Sequence, residues 1–229
     1  MPKPRVLFLD AVGTLFSVKG SVGEVYSQIA SEFGVHVSSS ALNQAFFQSF
    51  KAAPSPTFPD AEVQDVPQRE FEWWYAIARE TFELAGALQK FTDFDTFFSE
   101  LYIHFGTAEP WFVYPDVVPA LKNWRKKGIE LGIISNFDSR IFSVLQALEL
   151  RDYFDSITIS TQVGAAKPEA KIFGIALAKH NCPAESAWHV GDSKNDDYHG
   201  AKAVGMRGVL ITRASEQKVL VGASPDFLK

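Results

Sequence analysis

Apolar and polar residues follow two rhythms along the chain, and the change of rhythm divides it. Near the N-terminus Val6-Leu7-Phe8-Leu9 is an unbroken apolar run that stops at Asp10 and turns through Gly13. So short an apolar run predicts a strand buried on both faces, as in a parallel sheet. The next stretch has helical spacing. Val22, Val25, Tyr26, Ile29 and Phe33 share one face over 21–34, which Gly34 ends. A second helix is predicted from the Ser38-Ser39-Ser40 caps through Phe50, broken by Ala53-Pro54-Ser55-Pro56. After a loop over 54–67, a third helix is expected from Pro67 to Leu84 and a fourth from Asp93 to His104. From Trp111 helix and strand alternate, with helices over 116–127, 138–149, 168–180 and 195–204. Strands are predicted over 129–134, 157–160, 187–190 and 208–212. Joined to the first strand, this alternation predicts an α/β fold, a parallel sheet with helices on both faces. The expected organisation is a core of residues 1–16 and 111–229 with a four-helix insertion over 17–110.

Composition narrows the class. The chain has 229 residues, 46% of them hydrophobic, enough for a full core plus an insertion. The net charge of -5 comes from 22 basic and 27 acidic residues without a long single-sign run, which argues against nucleic acid or an anionic membrane as partner. The lone Cys182 has no internal disulfide partner and no zinc-type neighbours, and reads as a loop thiol. No apolar run suits a signal peptide or a membrane span, so a cytoplasmic protein is expected. The aromatics of the insertion, among them Trp73, Trp74, Phe97 and Phe98, read as packing between helices, with a substrate-facing role as the alternative.

Polar groups then gather at strand ends, where ligands of parallel sheets bind. Asp10 either caps its turn or does chemistry. Ser135-Asn136 follows the apolar Leu131-Gly132-Ile133-Ile134, and alone would be an ordinary capping turn. In Lys167-Pro168-Glu169, Pro168 fits the first position of a helix, and a lysine beside a positive helix end suggests an anion shared between them. In His189-Val190-Gly191-Asp192-Ser193-Lys194-Asn195-Asp196-Asp197 a strand ends in three acids. Near Asp10 these carboxylates would repel one another unless a hard cation sat among them, and oxygen donors suit Mg²⁺. His189, inside the strand, reads as a hydrogen-bonded structural residue.

In this order the residues resemble the four motifs of the haloacid dehalogenase superfamily, across essentially the whole core: Asp10 to Thr14, then Ser135, then Lys167, then Gly191-Asp192 with Asp197. The resemblance implies a Rossmann-like core with a helical cap inserted after the first motif. More narrowly, Glu72-Trp73-Trp74, Thr81-Phe82-Glu83-Leu84-Ala85-Gly86 and Ser135-Asn136-Phe137-Asp138 resemble one capped subgroup. What it implies chemically is an Asp10 nucleophile that forms an aspartyl-phosphate on a small phosphorylated substrate. Thr14 and Ser135, followed by Asn136, would bind the phosphoryl group and Lys167 would neutralise its charge. Mg²⁺ would be held by Asp10, the carbonyl of Val12 and Asp192, with Asp197 close by.

One position departs from the pattern. Phosphatases of the superfamily usually place a second aspartate two residues after the nucleophile, as general acid; here that residue is Val12. The resembling 2-haloacid dehalogenases carry Asp-Ala-Tyr-Gly-Thr there, work without metal and release halide, which needs no proton. A non-catalytic domain that binds Mg²⁺ and an anion is the third reading.

Overall fold

The computed structural model describes residues 3–213; residues 214–229, the end of the expected core, lie outside the described residues. In chain order come β1 (Val6–Leu9), β2 (Phe16–Val18), α1 (Val22–Glu32), α2 (Ser39–Ala52), α3 (Val66–Leu84), α4 (Phe94–His104) and β3 (Trp111–Val113). Then follow α5 (Val117–Lys126), β4 (Glu130–Ser135), α6 (Ile141–Ala147), β5 (Ser156–Ile159), α7 (Ser160–Val163), α8 (Ala170–Lys179), β6 (Ala187–Gly191), α9 (Gly200–Ala203) and β7 (Arg207–Leu210).

The main sheet has the order β5-β4-β1-β6-β7, and each pair in it is parallel. As the most central strand, β1 is apolar on both sides. Leu7 and Leu9 pack with Leu121, Val144 and Leu145 on one face, while Val6 and Phe8 pack with Ile172, Phe173 and Ala201 on the other. The register puts Leu9 opposite Ile133 and Val190, so Asp10, Ser135 and Asp192 all emerge at the same carboxyl edge.

Between β2 and β3 the four predicted helices pack on one another around Tyr26, Phe82, Phe97 and Leu101. Local chemistry starts two of them. Ser21 and Glu24 form a reciprocal capping box on α1, and Asp93 accepts from Thr96 N at 3.0 Å to cap α4. The expected loop over 54–67 holds one short helical turn, Val63–Asp65. The two chain crossings between insertion and core are joined as an antiparallel ribbon, Phe16 opposite Val113 and Val18 opposite Trp111. Three residues per strand are too few for alternation to show in sequence.

Three predicted helices in the core start later or differently, each because a side chain captures the backbone first. The Asp138 carboxylate accepts from Arg140 N at 2.9 Å, which holds 138–140 in a turn ahead of α6. The Asn136 amide accepts from Lys167 N at 2.7 Å and donates to Lys167 O at 3.0 Å. Lys167 is thereby kept out of α8, Glu169 is its N-cap, and Pro168, joined to Lys167 by a cis peptide, is not the first helical residue. The predicted 195–204 helix is a wide π turn over Lys194–His199 followed by the short α9, with Ser193 Oγ accepting from Asp196 N. Among the described residues no helix is long and apolar enough to cross a membrane.

Candidate active site

Asp10 leaves β1 with its backbone N–H still tied to Val190 O at 2.9 Å, so the sheet itself aims the carboxylate. Lys167 reaches it from the loop before α8. The ammonium is buried and donates to Asp10 Oδ1 at 2.7 Å and to Asp197 Oδ1 at 2.5 Å. Burial alone would lower its pKa, but the charges of Asp10 and Asp197 outweigh that and raise it. Asn136 fixes the backbone of the same lysine and so positions it from behind.

Asp197 is enclosed on every side. Its Oδ1 also accepts from His189 Nε2 at 2.8 Å, and its Oδ2 accepts from Ser193 N at 2.9 Å. Burial pushes its pKa up, yet the His189 hydrogen bond and the Lys167 charge more than offset this and hold it well below the usual carboxylate range. Burial drives His189 the other way, toward the neutral form. With its one proton on Nε2, the buried Nδ1 has no partner among the described residues. The structural role read for His189 is what the geometry shows.

Two glycines make room for acids. At Gly191 a Cβ would stand 2.1 Å from Asp197 Cγ. Gly13 has φ +85°, and a Cβ there would meet the Asp192 carboxylate at 2.5 Å. Asp192 is the unbalanced member. Burial first, then the charges of Asp10 and Asp197, push its carboxyl up to about 6. Oxygen atoms of Asp10, Asp192 and Asp197 lie within 4.8 Å of one another. Three carboxylates facing one ammonium form a donor set suited to a hard divalent cation. Asp10, Asp192 and Asp197 all line the cavity with Val12, but Asp197 is already committed to Lys167 and His189.

Ser135 and Asn136 share that cavity wall with Lys167. Thr14 does not: its side chain is fully enclosed inside the Asp10 turn, Oγ1 has no partner among the described residues, and its carbonyl accepts from Arg213. Asp196 lies on the wall.

The cavity, about 680 Å³, continues upward between core and insertion. Its upper wall includes Phe46, Phe47, Phe50, Trp74 and Tyr102. Trp74 is therefore not merely interhelical packing; it faces the cavity and donates from Nε1 to Asp138 Oδ2 at 2.7 Å. Sequence reasoning missed Arg140, whose guanidinium binds both Asp138 oxygens at 2.9 and 2.7 Å and stacks 3.9 Å over the Tyr102 ring. It also missed Glu70, which reaches from α3 to accept from Ser139 N and Oγ at 3.0 and 2.9 Å. The polar run Asp138-Ser139-Arg140 after a strand end was the available signal.

A parallel sheet that brings an aspartate, a serine, a lysine and a Gly-Asp pair to one edge, beneath a helical insertion, defines the haloacid dehalogenase class of hydrolases. The chain belongs to that family, the haloacid dehalogenase-like hydrolases, whose family model matches residues 4–205. More particularly, it is similar to haloacid dehalogenase-like hydrolase domain-containing protein 3, the subgroup its insertion and second motif point to. It is 36% identical to the Mus musculus protein over 213 residues, 90% of this chain and 81% of that one. Identity to the Homo sapiens protein is 35% over 208 residues, again 90% and 81%. Among solved structures, an HAD phosphatase from Thermococcus onnurineus superposes with a TM-score of 0.61 at 24% identity, covering 93% of this chain and 88% of that one. A dehalogenase solved with an intermediate complex superposes at 0.68 and 18% identity, covering 99% and 90%. These two likenesses show the fold.

Proposed function

We propose that the chain is a Mg²⁺-dependent phosphohydrolase that acts on a small phosphorylated substrate through an aspartyl-phosphate on Asp10. The ion pair of Lys167 Nζ with Asp10 Oδ1 at 2.7 Å, at the floor of a cavity shared with Ser135, carries the reading. An ammonium that holds a nucleophilic carboxylate in place also compensates a transferring phosphoryl group, and phosphoryl transfer asks mainly for positioning and charge compensation. Asp10 attacks phosphorus, the bond to the leaving oxygen breaks, and water then hydrolyses the acyl phosphate and returns the carboxylate. Ser135 donates its hydroxyl hydrogen to a phosphoryl oxygen. Asn136 and Asp197 act through Lys167 by fixing its backbone and its ammonium. Thr14 keeps the turn rather than the substrate, given its enclosed hydroxyl. Asp10, Asp192 and the backbone of Val12 would hold Mg²⁺, which supplies positive charge to the phosphoryl oxygens; Asp197 stands behind them. Residues 17–110 serve as the cap that shields the site from water.

Val12 and the apolar upper wall favour one rival, a 2-haloacid dehalogenase-type reaction in which Asp10 attacks carbon and halide leaves unprotonated. Asp192, with an oxygen within 4.8 Å of those of Asp10 and Asp197, weighs against it, because a metal-free mechanism has no use for three carboxylates so close together.

Thermal midpoints measured with Mg²⁺, beryllium fluoride, both and neither test the proposal. Ligands that bind only the folded state raise the midpoint by mass action. The expected result is a rise with both together that Asp10→Asn and Asp192→Asn each abolish, accompanied by phosphate release from a panel of phosphomonoesters. No response to metal or mimic, with chloride released from 2-chloropropionate, would assign the site to dehalogenation. A full thermal response without release of phosphate from any ester or anhydride would assign it to binding alone.

A further inference from the structure

We propose that the substrate is an aryl phosphate, an aromatic group of one or two rings that carries no charge beyond its phosphate. The inference rests on the phosphohydrolase reading and deepens it, because the two ends of the cavity ask for the same molecule by different arguments.

At the floor, the constraint is the leaving group. Val12, two residues from the nucleophile and on the cavity wall, has no proton to give, and with Asp10 as nucleophile and Asp192 as metal ligand in this reading the departing oxygen leaves as an anion. An alkoxide, with basicity near that of hydroxide at a pKa of about 16, is a poor one. An aryloxide, at about 10 like the tyrosine side chain, departs with far less help. The step balances without an enzymatic acid. An Asp10 oxygen bonds to phosphorus as the phosphorus–aryloxide bond breaks, and the electron pair goes with the aryloxide. Water then bonds to phosphorus, the bond to Asp10 breaks, and the proton that water loses is the one the aryloxide takes up.

At the upper wall, the constraint is the surface. Phe46, Phe47, Phe50, Trp74, Tyr102 and Phe105 present rings to the cavity. Among the described residues of the upper wall the one cation, Arg140, offers no charge to a ligand: Asp138 takes it bidentately and its Nη1 is spent on Tyr102 O at 3.1 Å. Among the described residues a diphosphorylated metabolite would find no free cation on the upper wall for its second phosphate, and the polar side chains there, Ser17, Ser21 and Asn43, are uncharged. An aromatic ring finds faces and edges to stack on. Two of these rings are exposed beyond what a folded surface needs, Phe47 at 57% and Phe50 at 43%. Phe50 already stacks on Trp74, 24° between planes and 5.9 Å between centroids, so the wall itself shows the ring-on-ring packing that a bound aromatic group would continue. The volume, about 680 Å³, is of the size that takes a drug-like ligand and exceeds what a small acyl phosphate fills.

Steady-state kinetics with Mg²⁺ on four compounds separate the leaving-group argument from the surface argument. They are 1-naphthyl phosphate (aryl leaving group, rings), 1-naphthylmethyl phosphate (alkoxide, rings), acetyl phosphate (good leaving group, no ring) and glycerol 1-phosphate (neither). The expected order in kcat/KM has 1-naphthyl phosphate first. It should lead 1-naphthylmethyl phosphate by about a hundredfold in kcat, the range a general acid supplies. It should have a KM at least several-fold below that of acetyl phosphate. Phe47→Ala and Phe50→Ala, both exposed and so compatible with folding, are expected to cut the preference for naphthyl over acetyl phosphate about fivefold or more. Ile103→Ala, an equally exposed apolar truncation on α4 away from the cavity, should leave that preference in place. Acetyl or glycerol phosphate ranking first, or a preference indifferent to both phenylalanine variants, would overturn the aryl assignment while leaving the phosphohydrolase reading intact. No turnover of all four, with no thermal response to Mg²⁺ and beryllium fluoride, would instead overturn the phosphohydrolase reading and the aryl assignment with it.

Discussion

Val12 is a branched aliphatic side chain on the wall of a cavity whose floor is otherwise acid, ammonium and hydroxyl. If the phosphoryl-transfer machinery is complete except for its acid, Val12→Asp should raise kcat on alkyl phosphates by up to about 10². On aryl phosphates the gain should be much smaller. Only the side chain changes, so any metal contact of the residue 12 carbonyl is retained. Mg²⁺ affinity measured alongside the rates distinguishes a gained acid from a disturbed metal site. Equal rates for both proteins on every alkyl phosphate, with metal affinity unchanged, would mean that protonation of the leaving group does not limit turnover. The other acids of the site are set by neighbours far away in sequence: Lys167 is 157 residues from Asp10 and 30 from Asp197. The candidates Asp10, Ser135 and Asp192 were legible because each follows the apolar run of a strand, and Lys167 because it stands beside a proline just before a helix. That Asn136 works on Lys167, and that Thr14 is enclosed, was not, since neither depends on local spacing.

The four helices of the insertion are stable as a group rather than singly, and their joint core is aromatic. Phe82 of α3 is fully buried and stacks at 8° on Tyr26 of α1, while meeting Phe97 of α4 edge-on at 5.1 Å. It thus ties three helices together at one point. Phe82→Ala is expected to cost about 3–5 kcal/mol in urea unfolding, the range for deleting a buried ring and leaving its cavity. Insertion and core should lose stability together if they unfold as one unit. A separate early transition confined to tryptophan fluorescence of Trp73 and Trp74 would show the insertion melting alone. These helices were legible because apolar residues recur every three or four positions and explicit caps open α1 and α4. What periodicity concealed on α2 is that Phe46, Phe47 and Phe50 do not all point inward; two of them face the cavity mouth and solvent.

Across the join between insertion and core, one buried contact is polar. Glu70, 1% exposed, reaches from α3 to Ser139 beyond β4, close to the Asp138 carboxylate that Arg140 neutralises. Burial, with Asp138 adding to it, raises the Glu70 pKa, although the Ser139 hydrogen bonds oppose the rise. A carboxyl whose folded pKa exceeds its unfolded one contributes stability that is fully present below the unfolded pKa, about 4.3. That contribution is lost as the pH rises through the folded value. Glu70→Gln keeps a carbonyl acceptor for Ser139 N and Oγ but never ionises. Wild type and variant should therefore have matching midpoints at the acid end, with the variant gaining as pH rises and levelling off above the folded pKa. Thermal unfolding of both proteins from pH 4 to 8 checks this. A difference that is constant with pH, or that favours wild type at pH 8, would mean the ionised Glu70–Ser139 pair outweighs its burial.

The chain's own order of residues specified most of the strands and helices, the run of four helices between the first strand and the alternating segment, and that acids and an amide stand at strand ends. Those features are local, written in runs and periods of a few residues. The order β5-β4-β1-β6-β7, the β2–β3 ribbon, the seating of Lys167 between Asp10 and Asp197, and the aromatic chamber under Arg140 came from packing. Each joins segments tens to more than a hundred residues apart, and such contacts form only where buried surfaces and hydrogen-bond partners fit in three dimensions, which no local pattern records.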